Sequence, residues 1–484
     1  SFGELFAWII GWALIMEYSI GNIYVAFSWS DYFTSLMDKL HYHVPDYLTC
    51  SYKEAHDAVL SGDGNAQLHR AWSTAPVIGG LRMIFDLPAI VINALITYLV
   101  YRGVKESRNF SNTMVILKLC IVALVIIVGG SLVFSQGLTF NWHPANESGV
   151  HSFLPNGFGG VMTAVSGVFF AYIGFDAVSV LAEESKNPQR DLPRGMIYSL
   201  VICTVVYILL SLVLTGSVNY QHFNGIGDPL AFIFEKQNLN LGWMQLVVGI
   251  CAVIAMTSVL LVFQMGQPRI WMTMSRDGLL PPVFQRIHPK FKTPSFATVI
   301  TGLVVGIPIL FTDKTFVLDF TSIATLFAFV LVCGGVLLIP RKEKVPGRFS
   351  LPYINGRYAY PAIVTTAILL ISIYGKGYFS GAFQLDFSGD PDYQAGKASF
   401  MDLATPRLSI IIFWTVTLIL ACLAFIKRYS LIPLMGVTTC LYLLTGMTKS
   451  NWAWFLSWLL LGLVVYFLYG YRHSRLAQPS ANRA

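Results

Sequence analysis

Phe169 to Glu184 reads FFAYIGFDAVSVLAEE, an apolar run with a single carboxylate, Asp176, in its middle. Two more ionisable residues share that setting: Glu17 in GWALIMEYSI and Lys118 in TMVILKLCIV. A charge inside a bilayer is costly, so such residues default to ion pathways, proton relays or substrate contacts. Each also has a plainer reading. Lys118 lies six residues in from Asn112, about 9 Å along a helix, and a lysine stem can snorkel that far to water. Glu17 sits near the middle of its segment, where a neighbouring helix could satisfy it in a structural role. Asp176 precedes Glu183 by seven residues and could face a water-filled inlet.

The same stretch concentrates aromatics around Gly174, after Gly157, Gly159, Gly160 and Gly167. A membrane helix satisfies its backbone internally unless it lines a cavity. A break here would free carbonyls and N–H groups able to hold a substrate's amine and carboxylate. The alternative is an unbroken helix with a packing glycine. In the following connector, EESKNPQRDLPRG, Pro188 is expected to end the helix, with Asp191 as the next N-cap and Pro193 in its first turn. Its charges form a solvated connector, or Glu183 and Glu184 pair with Arg194 or Arg276 as a gate.

What kind of chain positions these residues follows from composition. Of 484 residues 55% are hydrophobic and only 12% charged, with mean hydropathy +0.62. Soluble domains carry about 25% charged residues, so this is a polytopic membrane protein. Spans of about 20 apolar residues fall at 4–33, 84–103, 112–135, 157–182, 194–217, 241–269, 295–311, 315–340, 358–375, 408–426, 430–447 and 451–470. With Ser1 in the cytoplasm, 21 Lys and Arg fall on the cytoplasmic side and 10 outside, leaving Lys118 within a span. That bias obeys the positive-inside rule and puts both ends of the chain in the cytoplasm. The net charge of +7 needs no nucleic acid to explain it.

Nucleotide and hydrolase chemistry is missing. There is no GxxxxGK[ST], no HExxH and no GxSxG, so no enzyme is expected. Six of the seven cysteines sit in apolar runs, only Cys50 lies in a polar loop, and no CxxC occurs. Neither a disulfide framework nor a metal site is expected. The chain starts without Met and enters an apolar segment with no charged leader, so it reads as cut rather than as carrying a signal peptide.

GELFAWIIGWALIMEY (3–18), the 169–195 stretch, GQPRIWMTMSRDGLLPPVF (266–284) and WLLLGLVVYFLYGYRHS (458–474) resemble the cationic amino acid transporter branch of the APC (amino acid–polyamine–organocation) superfamily, in a bacterial style. The resemblance covers nearly the whole chain. It implies an all-α LeuT-type fold of two inverted repeats, each with one broken helix. Residues 1–135 would be the remainder of the first repeat, 157–340 the second, and 358–470 four accessory helices. The family's first two helices have no counterpart here, so 12 spans stand for 14.

The resemblance also implies roles. The backbone carbonyls of Phe170, Ala171 and Ile173 would receive the substrate amine, with Phe175 as an aromatic beside the site. Asp176 would couple a proton. The Lys118 ammonium would occupy the space of a sodium ion in sodium-driven relatives, so the driving ion is H+, with no bound sodium and no cofactor. Glu17 would lie near the substrate's side chain, with Met256 facing it. Where the family commonly has an acid this chain has Ala13, so that acid's role is lost or taken over. The expected function is uptake of an L-amino acid, neutral or broad, by alternating access. Alternatives are an amino acid or polyamine exchanger, or a binding sensor that does not transport. Expected partners are the substrate, the bilayer and a small single-helix membrane subunit.

Overall fold

A computed structural model of the chain describes residues 3–61, 65–103, 108–145, 151–174, 187–223, 226–338, 352–374, 378–383 and 399–474. The protein is built almost wholly of helices, because a chain in lipid must satisfy its own backbone hydrogen bonds. Among the described residues eight helices are long and apolar enough to cross a membrane, and three shorter apolar helices accompany them. These correspond to eleven of the twelve expected spans.

The helices, in chain order, begin with α1 (Glu4–Lys39), then α2 (Tyr52–Ser61) and α3 (Ala66–Thr74) outside the membrane. A two-stranded hairpin, β1 (Val77–Ile78) with β2 (Leu81–Arg82), leads into α4 (Leu87–Tyr101) and α5 (Arg108–Ser135). Next come α6 (Gly157–Val168), α7 (Pro188–Ser217), α8 (Gly242–Arg276), α9 (Ser295–Ile309) and α10 (Lys314–Leu338). The last group is α11 (Gly356–Tyr374), α12 (Phe400–Lys427), α13 (Leu431–Leu444) and α14 (Lys449–Val465).

α1 is the centre of the bundle. Its apolar face packs on α8 and α10, and Trp8, Ile15, Glu17, Tyr18 and Asn22 are all buried. α7 shows the reverse: its side chains are mostly exposed and apolar, as expected of a helix whose solvent is lipid. Neutral polar groups join the central helices. The Asn22 amide donates to Gln264, whose own amide donates to the Thr97 hydroxyl at 2.8 Å. Asn93 donates to the Gly302 carbonyl at 3.1 Å. Such bonds, with close approach at small residues, hold helices together where lipid supplies no hydrophobic drive.

Ion pairs gather at the helix ends. At the far end of α1, Asp31 pairs with Lys314, Lys53 pairs with Asp313, and Ser30 donates to Asp86 at 2.6 Å. The Lys53 contact seats α2 on the start of α10, and the Ser30 contact ties the residue that precedes α4 to α1. At the opposite face Ser474 donates to Glu4, so the first and last described turns share one side.

Several boundaries differ from expectation, three of them with a plain local cause. α1 continues six residues past 33, because its polar last turns are held by contacts such as Ser35 donating to Asp228 at 2.6 Å. α7 starts at Pro188 and not at Pro193, which lies inside the helix. Pro188 takes the first turn, where its missing N–H costs nothing, and Asp191 lies in that turn instead of capping it. α12 starts at Phe400, where Ser399 and Asp402 form a reciprocal capping box.

Candidate functional site

Within its described residues, the apolar run that begins at Phe169 leaves the α-helix. α6 stops at Val168, the chain tightens into a 3-10 turn over Phe169–Tyr172, and Gly174 follows at φ +107°. That φ is closed to most residues with a Cβ. Four contacts hold the turn. The Tyr207 hydroxyl of α7 donates to the Ala171 carbonyl at 2.7 Å. Tyr172 and Thr204 share a hydrogen bond of 3.1 Å, and the Tyr172 and Tyr207 rings meet edge to face. On the other flank Phe169 packs edge-on against Phe329 of α10.

Ala171 is exposed, and Ile173 and Gly174 are half-buried. The Ala171 carbonyl already serves Tyr207, which leaves one of its two lone pairs for another donor. Phe170 lies in the 3-10 turn. Phe175, Asp176, Glu183 and Glu184 lie outside the described residues, and so does any pairing between those glutamates and Arg276. Arg276 itself is the exposed last residue of α8.

Lys118 and Glu17 lie on two other helices. The Lys118 ammonium donates to the Ser258 hydroxyl at 3.1 Å, linking α5 to α8 inside the membrane. One residue away, Thr257 accepts a hydrogen bond from the Trp29 indole at 2.9 Å, linking α8 to α1. Glu17 is 1% exposed, in the turn of α1 that also holds Tyr18. Met256 is half-buried at the edge of the apolar cluster that includes Val125 and Val213.

Phe263 joins these parts, and sequence reasoning did not single it out. Its ring packs edge-on against Tyr18 at 5.5 Å and closes on Gly21. A Cβ on Gly174 would stand 3.8 Å from it. Phe263 therefore spans the gap between α1, beside Glu17, and the broken helix. It is one of 34 phenylalanines, and no local signal separates it from the rest. Tyr207 and Ser258 were equally silent, since a lone hydroxyl on an apolar helix is usually a packing residue bonded to its own backbone.

A multi-pass helical bundle with an interrupted helix and ionisable groups at membrane depth has the build of a membrane transporter. Residues 1–386 match the family model for amino acid permease, and residues 429–474 match that for the C-terminus of the same permeases. The chain is 34% identical to the branched-chain amino acid permease BcaP of Bacillus subtilis over 99% of its length and 79% of that protein's. It is 38% identical to the methylthioribose transporter of Bacillus subtilis over 73% of its length and 68% of that protein's. Cationic amino acid transporter 4 of Homo sapiens shows 27% identity over 98% of this chain and 76% of its own. The chain belongs to the amino acid permease family of the APC superfamily. It is a membrane transporter and not an enzyme, and its helical build is consistent with a LeuT-type fold.

Proposed function

We propose that this protein takes up neutral L-amino acids across the cytoplasmic membrane in symport with protons. The observation that carries the reading is the broken helix at Phe169–Gly174 in a chain of the amino acid permease family. An unwound turn presents carbonyl oxygens that an ammonium can reach, which an intact helix does not. Phe170, Ala171 and Ile173 supply those carbonyls, with Phe175 as the aromatic beside the site.

Asp176 carries the proton. Lys118 is a fixed cation held by Ser258, so no sodium ion is required. Glu17 and Met256 lie toward the substrate's side chain, and a methionine there favours a small apolar one. Arg276 with Glu183 and Glu184 forms an inner gate. The two-to-one excess of Lys and Arg on the side of Glu4 and Ser474 supports a cytoplasmic location for that face.

The test is uptake by the purified protein in liposomes under an imposed inward proton gradient. Labelled leucine, isoleucine, valine, alanine, lysine and arginine form the panel. Methylthioribose is added as a competitor, because of the likeness to its transporter. Uptake of the neutral amino acids that collapses with a protonophore is expected. Uptake of lysine and arginine alone, a sodium requirement, or full block by methylthioribose with no amino acid uptake would displace the reading.

A further inference from the structure

Two adjoining helices carry outward apolar stripes that end at one basic loop. On α4, Val91, Leu95 and Tyr98 are about half exposed, and Arg102 follows one turn later. On α9, Val299, Leu303 and Ile307 are exposed in the same way. The helices touch through Asn93 and Gly302, and both reach the face that holds Glu4 and Ser474. The loop after α8 is on that face too, its Leu279 carbonyl lying against Gly470.

This loop is locked in shape across both helix ends. Thr293 donates its hydroxyl to the Tyr101 carbonyl at 2.9 Å. His288 Nδ1 accepts from the Lys290 and Phe291 N–H groups at 3.2 and 3.3 Å, and the His288 carbonyl accepts from Lys292 N–H at 2.9 Å. Gly103, at φ +75°, sits where a Cβ would stand 2.7 Å from the Phe291 carbonyl. The Phe291 ring stacks on His288 and takes the Arg102 guanidinium at 5.3 Å. Lys292 is held at φ +58°, a strained conformation for a side-chain-bearing residue and one that persists mainly at functional sites.

Arg102, Arg286, Lys290 and Lys292 are all exposed here, and among the described residues none of them makes an ion pair. Between Asp277 and Asp313 the sequence holds no acid. Orientation alone would be served by basic residues scattered along the loop. Here Arg102 and Lys290 meet at the Phe291 ring, with Arg286 and Lys292 on the same preformed loop beside the apolar stripes.

We propose that this loop binds the phosphodiester headgroup of an anionic phospholipid, whose acyl chains lie along the α4 and α9 stripes. Cation clusters next to transmembrane helices attract such lipids, and the stacked Arg102 is preorganised for a phosphate oxygen.

The test compares melting temperatures of the full chain in phosphatidylcholine nanodiscs with and without phosphatidylglycerol. Phosphatidylglycerol is expected to raise the temperature by several degrees. The combined variant Arg286→Gln, Lys290→Gln, Lys292→Gln should lose most of that rise. A control removing the equally exposed Arg190, Lys427 and Arg472 charges should keep it. The shift is scored within each variant, so an altered baseline does not obscure it. A full phosphatidylglycerol response in the loop variant overturns the proposal. So does an equal shift from glycerol 3-phosphate in phosphatidylcholine discs, which would make this a site for free phosphates and not for lipid.

Discussion

Trp12 and Trp458 each donate an indole N–H to the other's backbone carbonyl, at 2.8 and 3.3 Å, with their rings stacked 4.7 Å apart. The pair fastens the central helix α1 to α14, near the end of the chain. Gly462 makes the approach possible: a Cβ there would overlap the Trp12 indole, and the Trp8 indole donates to the Gly462 carbonyl at 3.0 Å. Gly462→Ala should therefore destabilise the bundle by about 1–3 kcal/mol through overpacking. Thermal unfolding in detergent reads this, and an unchanged midpoint would mean that α14 moves aside without cost.

Lys118 and Ser258 predict a different signature. If the ammonium serves as a fixed cation for transport, Lys118→Ala should lower gradient-driven uptake roughly tenfold or more, which takes only about 1.4 kcal/mol at the limiting step. Ser258→Ala, which removes the acceptor but keeps the charge, should cost less. Melting temperature is measured alongside, and a fall as steep as the loss of activity would mark Lys118 as structural.

Asp176→Asn is isosteric and cannot release a proton. Uptake driven by a pH gradient should vanish, while counterflow of labelled substrate partly survives because that exchange needs no net proton movement. Undiminished gradient-driven uptake would remove Asp176 from coupling.

The cap that carries α2 should respond to pH through Glu54. Burial holds its carboxyl above the ordinary glutamate value near 4.5, despite hydrogen bonds from the Ser51 and Lys314 N–H groups, and the nearby Asp313 charge pushes the same way. A group whose pKa rises on folding binds its proton more tightly in the folded state. Its contribution is full below the unfolded value and lost as pH rises through the folded one. The melting temperature should thus decline across that window, and Glu54→Gln should flatten the decline. An identical slope in the variant would assign it to other groups.

The spans, the break and the basic loops were legible in the one-dimensional pattern. Hydropathy locates spans because every backbone group in lipid must be bonded locally, and eleven of the expected segments are apolar helices. The crowding of glycine and aromatics around Gly174 marked the interruption, and Lys118 stood out as a charge in an apolar run. Helix ends were less legible. Pro188 opens a helix and Ser399 caps one, because polar end turns are stabilised by partners that hydropathy does not weigh.

By itself the sequence determined a polytopic helical membrane protein of the amino acid permease family, with its charges at depth and its breakable helix. Only the tertiary structure decided which residues meet. Lys118 finds Ser258 across 140 residues, Trp12 finds Trp458 across 446, and Phe263 bridges Tyr18 and Gly174. α4 and α9 likewise stand together only once Asn93 has found Gly302. The reason is physical. Burial in lipid acts on each segment alone and leaves its mark on composition. Helix pairing in lipid rests on close packing and a few hydrogen bonds, and those belong to pairs of surfaces that no single segment records.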